Sequence, residues 1–253
     1  MQFITRPALF ISTLLLTLLY SVSASAYIFG PPPVTELTES GENLDNISLF
    51  KREESFVYGT SGTPTKFEST GLAGLTKKGD KDGAFNFMYR LSKEKAPAFA
   101  TYDSTNLGFG FGRDWNVLSD RSLGIILNGQ FDYARASESV TSGKTTYSWD
   151  YSITTLGVET GAVYRLFINQ ATIAPFVMYN IYRNTNSVTP SVGRAYSIYY
   201  DGSSVNLGVS VILGKFNLTY TQTTSEAKYS YDIYTGSGTV KTTGNMLTLG
   251  FNY

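Results

Sequence analysis

The chain has 253 residues with 20 basic and 20 acidic side chains, so its formal net charge is zero and nothing in it suggests a nucleic-acid partner. It contains no cysteine, which removes disulfides and thiolate metal sites, and no histidine, which removes the commonest general base and metal ligand. Its 16 phenylalanines, 19 tyrosines and two tryptophans must nevertheless be buried in a core or dissolved in lipid.

Met1 to Ala26 reads as a secretory signal peptide: Arg6, a Leu-rich apolar stretch, and Ala24-Ser25-Ala26 as an A-x-A cleavage motif with Ala24 and Ala26 as its small residues. Ser12, Thr13 and Thr17 interrupt the stretch, which is too short for a membrane anchor. Removing these 26 residues leaves 227, and because Arg6 is their one charge, the remainder carries 19 basic against 20 acidic residues. Residues 27–45 hold Pro31-Pro32-Pro33 followed by Glu36, Glu39, Glu42 and Asp45, the composition of an extended leader without a core.

From residue 46 to residue 253 no helical period appears, only alternating segments separated by turn-rich stretches, which predicts an all-β domain. The expected strands in chain order are Ile47 to Tyr58, Lys66 to Thr76, Ala84 to Leu91, Asn106 to Gly112 and Arg121 to Ala136. They continue with Tyr147 to Leu166, Ala171 to Arg183, Ala195 to Leu213, Phe216 to Asp232 and the segment ending at Tyr253. Ten strands is the expected count, with eight the alternative if the first hairpin stands apart. Lys77 to Gly83, Arg113 to Asp120, Phe167 to Gln170 and Gly214-Lys215 are expected as inner turns. Ser92 to Thr105, Ser137 to Thr146 and Ile233 to Gly244 are expected as polar outer loops.

Alternation sorts the residues between two faces. Phe85, Phe87, Tyr89 and Leu91 share one face, as do Leu107, Phe109 and Phe111, then Ile125, Leu127, Phe131 and Tyr133, and likewise Leu156, Val158, Leu207, Val209, Phe216 and Leu218. The opposite parity holds Asn86, Arg90, Gly108, Gly110, Gly112, Asn128, Gln130, Asp132, Glu159, Arg165, Asn206, Ser210, Asn217 and Thr219. A soluble β-sandwich buries its apolar face and exposes its charged one. Here an apolar row backed by glycine and polar residues calls instead for lipid outside and a polar lumen, hence a transmembrane antiparallel up-and-down β-barrel.

The last strand places Leu247, Leu249, Phe251 and Tyr253 on one face and stops on an aromatic residue. Together with the Ala24 to Ala26 motif, this resembles the small bacterial outer-membrane β-barrels of the OmpA-type, opacity-type and solitary autotransporter-barrel group, over roughly Ile47 to Tyr253. The resemblance is one of pattern. It implies an outer-membrane location, contact with outer-membrane lipid and lipopolysaccharide, and recognition of Leu247, Leu249, Phe251 and Tyr253 by the barrel-assembly machinery. No peptidoglycan-binding domain is expected after the barrel and no passenger domain before it.

Enzymes among small barrels of this size, including proteases, phospholipases, lipid A deacylases and palmitoyl transferases, depend on a histidine base, so enzymatic activity is not expected. Neither a Ser-Lys pair nor a calcium-loop spacing is present, and no cofactor or metal is expected. Gly108-Phe-Gly-Phe-Gly112 reads as strand, since no helix follows to make it a phosphate loop. Arg90, Asp132, Glu159 and Arg165 form the candidate lumen charge cluster, either a structural salt-bridge plug, which is favoured, or the selectivity constriction of a narrow pore. Trp115, Tyr164, Phe167, Phe216, Phe251 and Tyr253 are expected in an inner interfacial girdle, and Tyr102, Tyr147 and Trp149 in an outer one. Tyr196, Tyr199, Tyr200, Tyr229, Tyr231 and Tyr234 lie beyond it, as barrel extension or adhesive rim. The expected function is that of a non-enzymatic scaffold displaying outer loops to an unknown surface ligand, with a narrow porin as the alternative.

Overall fold

A computed structural model describes residues 42–59, 62–80, 82–96, 101–142, 144–233 and 235–253. Ala24, Ala26, Tyr234 and nearly all of the leader lie outside the described residues. Every element is a strand: β1 (Asn43–Tyr58), β2 (Thr65–Asp80), β3 (Gly83–Lys95), β4 (Asp103–Asn116), β5 (Leu123–Ser142), β6 (Thr145–Tyr164), β7 (Leu166–Ile168), β8 (Ala171–Pro190), β9 (Tyr196–Leu213), β10 (Phe216–Tyr231) and β11 (Ser237–Asn252).

Sequential strands pair antiparallel, β1 also pairs with β11, and β6 pairs with β8, which closes the sheet on itself. β6 and β7 keep one register against β8, with Val163 opposite Phe176 and Leu166 opposite Ile173, so they are two pieces of one barrel strand interrupted at Arg165. The result is a closed barrel of ten strands. Closure satisfies the edge groups that lipid cannot.

The connections β2–β3, β4–β5, β7–β8 and β9–β10 lie at one end, beside the start of β1 and the end of β11, and three of the four are only two residues long. Gly214 adopts a left-handed φ of 58°, as its two-residue turn requires. Short turns mark the periplasmic end of such barrels, which places the other connections outside.

The wall inverts the rule for soluble proteins. Phe111, Leu49 and Ile181 are 71%, 61% and 60% exposed, while Asn180, Asn184 and Asn206 are buried. The exposed row runs around the barrel through Leu72, Phe85, Leu107, Ile125, Val158, Leu207, Leu218 and Leu247. The parity rows read from the sequence fall on the expected sides throughout. This apolar belt sits nearer the short-turn end. Above it the outward positions become charged, with Lys51, Glu53, Lys93, Asp103, Arg135, Asp150, Arg183 and Asp201 exposed.

Three expectations need correction. β1 begins at Asn43, inside the segment read as leader, because Asn43, Leu44 and Asp45 continue the ladder opposite Lys78, Lys77 and Thr76. The outer loops are much shorter than their composition suggested: β5 and β6 pair out to Ser142 and Thr145, and β11 starts at Ser237 rather than after Gly244. Above the lipid both faces of the wall can be polar, so Ser, Thr and Gly there remain in ladder hydrogen bonds. Finally, Tyr102 and Trp149 are buried inside the barrel and Tyr147 packs against the same cluster, so they form no outer girdle. The inner girdle does face outward, with Tyr164, Phe167, Phe216, Phe251 and Tyr253 exposed and the Phe216 and Phe251 rings 5.3 Å apart.

Val158 lies near the middle of the belt, so Val158→Arg is expected to destabilise the barrel by about 2–4 kcal/mol in lipid vesicles, whereas Val158→Leu is expected to be nearly neutral. Denaturant unfolding of the two variants beside the parent measures the difference.

Candidate functional site

Inward positions carry ten buried charged side chains among the described residues: Arg52, Glu54, Lys77, Arg90, Glu94, Asp114, Asp132, Glu138, Glu159 and Arg165. All lie on β1 to β6 or at the break before β7. The inward faces of β8 to β11 instead offer asparagine, serine and threonine, among them Asn180, Asn206, Ser210, Thr223 and Thr248, with no charge. One half of the barrel wall is ionic and the other is neutral and polar.

The charges form separate groups at successive depths. At the inner end the Lys77 Nζ donates to Asp114 Oδ2 at 3.0 Å, and the Arg165 guanidinium lies 3.7 Å from the same oxygen while donating to the Arg121 carbonyl at 3.2 Å. Ile126, Val163, Ala174, Phe176 and Met178 pack as a small apolar cluster beside it. Higher up, Arg90 Nη2 donates to Asp132 Oδ1 at 2.7 Å, the shortest of the lumen ion pairs. A Cβ on Gly108 would collide with that carboxylate, so glycine here leaves the space the pair occupies. Beside the pair, a cavity of about 10 Å³ is lined by Met88, Arg90, Gly108, Gly110, Gln130 and Asp132, room for about one water.

Above the belt Arg52 lies 3.4 Å from Glu54 and 3.5 Å from Glu94, and donates to Ser69 Oγ at 3.2 Å. The Tyr102 and Ser69 hydroxyls donate to Glu94 at 3.2 and 3.1 Å. This network was not singled out from the sequence, where Lys51-Arg52-Glu53-Glu54 reads as one charge run. Strand parity was the available signal: Lys51 and Glu53 pair outside at 2.7 Å while Arg52 and Glu54 turn in.

Of the four residues expected to cluster, then, the fold brings Arg90 and Asp132 together and leaves the other two apart. Arg165 belongs to the inner group. Glu159 stands by itself, with amide nitrogens of Asn128, Gln130 and Asn206 at 3.4 to 3.5 Å and no ion pair among the described residues.

The outer end of the lumen is mostly aromatic, with Glu138 buried there and accepting from the Tyr151 hydroxyl at 3.2 Å. Phe56, Phe67, Tyr102, Trp149, Tyr151, Tyr182, Val188, Tyr196, Ile198 and Tyr200 are buried in one cluster, with Tyr58, Tyr147, Tyr229 and Tyr231 packed against it. Phe67 contacts Phe56 and Tyr102 edge to face at 5.1 and 5.6 Å between ring centroids. The tyrosines read as a rim therefore mostly fill the inside of the extension, and Tyr199 alone among those described is an exposed large side chain on its outer face.

Wall and interior together define an integral β-barrel of the bacterial outer-membrane kind: an apolar belt for lipid, a closed ladder and a polar, ion-paired lumen. No family model and no curated protein matches the chain. Among solved structures it is similar to the outer membrane protease OmpT from Escherichia coli, at 9% identity over 86% of this chain and 98% of that one, with a TM-score of 0.49. It is similar to the translocator domain of the autotransporter NalP from Neisseria meningitidis, at 11% identity over 86% and 91% of the chains and a TM-score of 0.46. The attachment invasion locus protein Ail of Yersinia pestis, solved with the heparin analogue sucrose octasulfate, gives 14% identity over 84% and 99%, with a TM-score of 0.42. Likenesses at these identities and scores transfer neither activity nor ligand to this chain.

Arg90→Ala is expected to cost about 3–5 kcal/mol by stranding the Asp132 carboxylate. The double change Arg90→Met with Asp132→Leu is expected to recover most of that loss in the same denaturant unfolding experiment, because it removes both desolvated charges together.

Proposed function

We propose that the protein is a sealed, non-enzymatic outer-membrane scaffold whose outer extension carries its contacts. The observation behind this reading is the aromatic cluster in the outer lumen, where Phe56, Phe67, Tyr102, Trp149, Tyr151 and Tyr200 are buried together inside the barrel. The paired lumen charges support the same reading, since a selectivity constriction needs opposed charges separated by water. The absence of histidine speaks against the usual hydrolytic chemistries of such barrels.

The extension offers a surface for contact. A groove of about 550 Å³ crosses the outer faces of β4, β5, β6 and β8 above the belt, lined by Asp103, Thr105, Tyr133, Arg135, Asp150 and Thr189 among others. Arg135 donates to the Tyr133 hydroxyl at 2.9 Å, and on this reading the exposed bases of this zone meet lipopolysaccharide headgroups. On this reading Ala24 and Ala26 direct cleavage on export. The outward row Leu247, Leu249, Phe251 and Tyr253 serves recognition by the barrel-assembly machinery.

In planar bilayers the folded, purified protein is expected to give no discrete conductance steps. Steps whose ion selectivity moves in Asp132→Ala and Glu159→Ala would replace the scaffold with a narrow channel lined by those carboxylates.

A further inference from the structure

Two buried carboxylates share one guanidinium in the outer extension. Arg52 lies 3.4 Å from Glu54 and 3.5 Å from Glu94, and all three side chains are buried. Their outward neighbours Lys51, Glu53, Lys93 and Lys95 are exposed charges, so the group stands above the lipid belt. The next charges below, Arg90 and Asp132, already neutralise each other at 2.7 Å. Two ionised acids against one base would therefore leave an uncompensated negative charge out of water.

The two acids are not equivalent. Glu94 accepts from the Ser69 and Tyr102 hydroxyls, whereas Glu54 Oε1 is buried without a hydrogen-bond partner. The strands on either side place Phe67 and Gly244 directly opposite Glu54, neither of them titratable. From across the lumen it is faced by Tyr182 of β8, whose hydroxyl is shared with Ser225 of β10 at 2.8 Å. A buried carboxylate short of donors is the one that takes up a proton. Burial raises the Glu54 carboxyl to about 7, against the pull of Arg52 and with a further push from Glu94.

This acid pair forms the floor of the aromatic cluster. The Phe67 ring opposite Glu54 meets Phe56 and Tyr102 edge to face, and the Tyr102 hydroxyl in turn holds Glu94. Ionising the second acid forces water in among these rings or drives the acids apart.

We propose that Arg52, Glu54 and Glu94 form a one-proton latch beneath the aromatic cluster: a proton on Glu54 keeps the outer lumen closed, and its loss to the buffer loosens the extension while the membrane belt stays folded. A carboxyl raised by folding stabilises the closed packing at low pH, and that contribution is lost as the pH climbs past its folded value. The latch does not depend on whether the lumen conducts, and its test does not read conductance.

Of the two tryptophans, Trp149 lies in the aromatic cluster and Trp115 near the inner end of β4, so Trp115→Phe leaves one reporter inside the extension. That full-length barrel is refolded in a nonionic detergent, and Trp149 emission and acrylamide quenching are titrated from about pH 5 to about pH 9 at constant ionic strength. The emission is expected to shift to the red and quenching to rise by roughly threefold, reversibly, as the extension opens. The midpoint is expected near pH 7. Glu54→Gln, which keeps the shape of the side chain without its charge, is expected to abolish the titration. Glu94→Gln leaves Arg52 to serve Glu54 alone and is expected to move the midpoint down by about one pH unit or more. Glu53→Gln, on the outer face, is expected to change nothing, and the heat-modifiable gel band is expected to remain compact throughout.

A parent that stays flat over this range would overturn the latch, as would a titration that survives in Glu54→Gln. Loss of the compact band at alkaline pH would overturn its confinement to the extension. If Glu54→Gln fails to fold, an unmoved midpoint in Glu94→Gln overturns the proposal by itself.

Discussion

Backbone hydrogen bonding in a medium without water is the constraint on which this structure depends. Each strand must find a partner on both edges, and the chain meets that requirement by joining β1 to β11 and β6 to β8. Once the sheet is closed, alternation of side chains has only two destinations, lipid or lumen. A stretch such as Phe85-Asn86-Phe87-Met88-Tyr89-Arg90 therefore places three aromatic rings outside and the ion-pairing arginine inside.

Closure also creates an interior that must be filled. Three solutions are stacked along the axis. Near the inner turns, Lys77, Asp114 and Arg165 share an ionic group beside the Ile126 and Phe176 cluster. Through the belt, hydroxyl and amide residues face the charged half of the wall, with Thr223 donating to Asn206 at 2.6 Å and Asn184 to Thr155 at 2.8 Å. Above the belt, where the outer face meets water, the polarity of the wall reverses and aromatic rings fill the inside. The extension thus resembles a small soluble β-barrel continuous with a membrane one. That reversal explains how tyrosine-rich sequence can lie beyond the membrane without forming a sticky rim.

The segregation of charge to β1 through β6 gives the two halves of the wall different roles. The ionic half holds most of its charges in local pairs, and the neutral half supplies dipoles. Glu159 lies near the seam, on β6 against β8, where the charged half meets the asparagine-bearing half. Its isolation follows from that position: the bases of the ionic half are at other depths, and the neighbouring strand β8 has none on its inward face, its Arg183 being exposed outside.

Much of this was determined by the sequence alone. The two-residue period assigned Phe109 and Leu207 to lipid and Arg90, Asp132 and Asn206 to the lumen, because parity is a local property that closure does not alter. The ten-strand count and the tight turn at Gly214-Lys215 were also legible. Strand length was not, since Ser137 to Thr146 has a loop's composition and is held extended only by its partner strand. Nor could parity tell that Trp149 and Tyr102 sit in an aromatic outer core, because inward means polar at belt depth and largely aromatic above it. The grouping of charges was decided by tertiary structure for a similar reason. Arg90 meets Asp132, Arg165 meets Asp114 and Glu159 meets only amides because the stagger between strands sets the depth of each residue, and depth arises from the closed register rather than from any single strand.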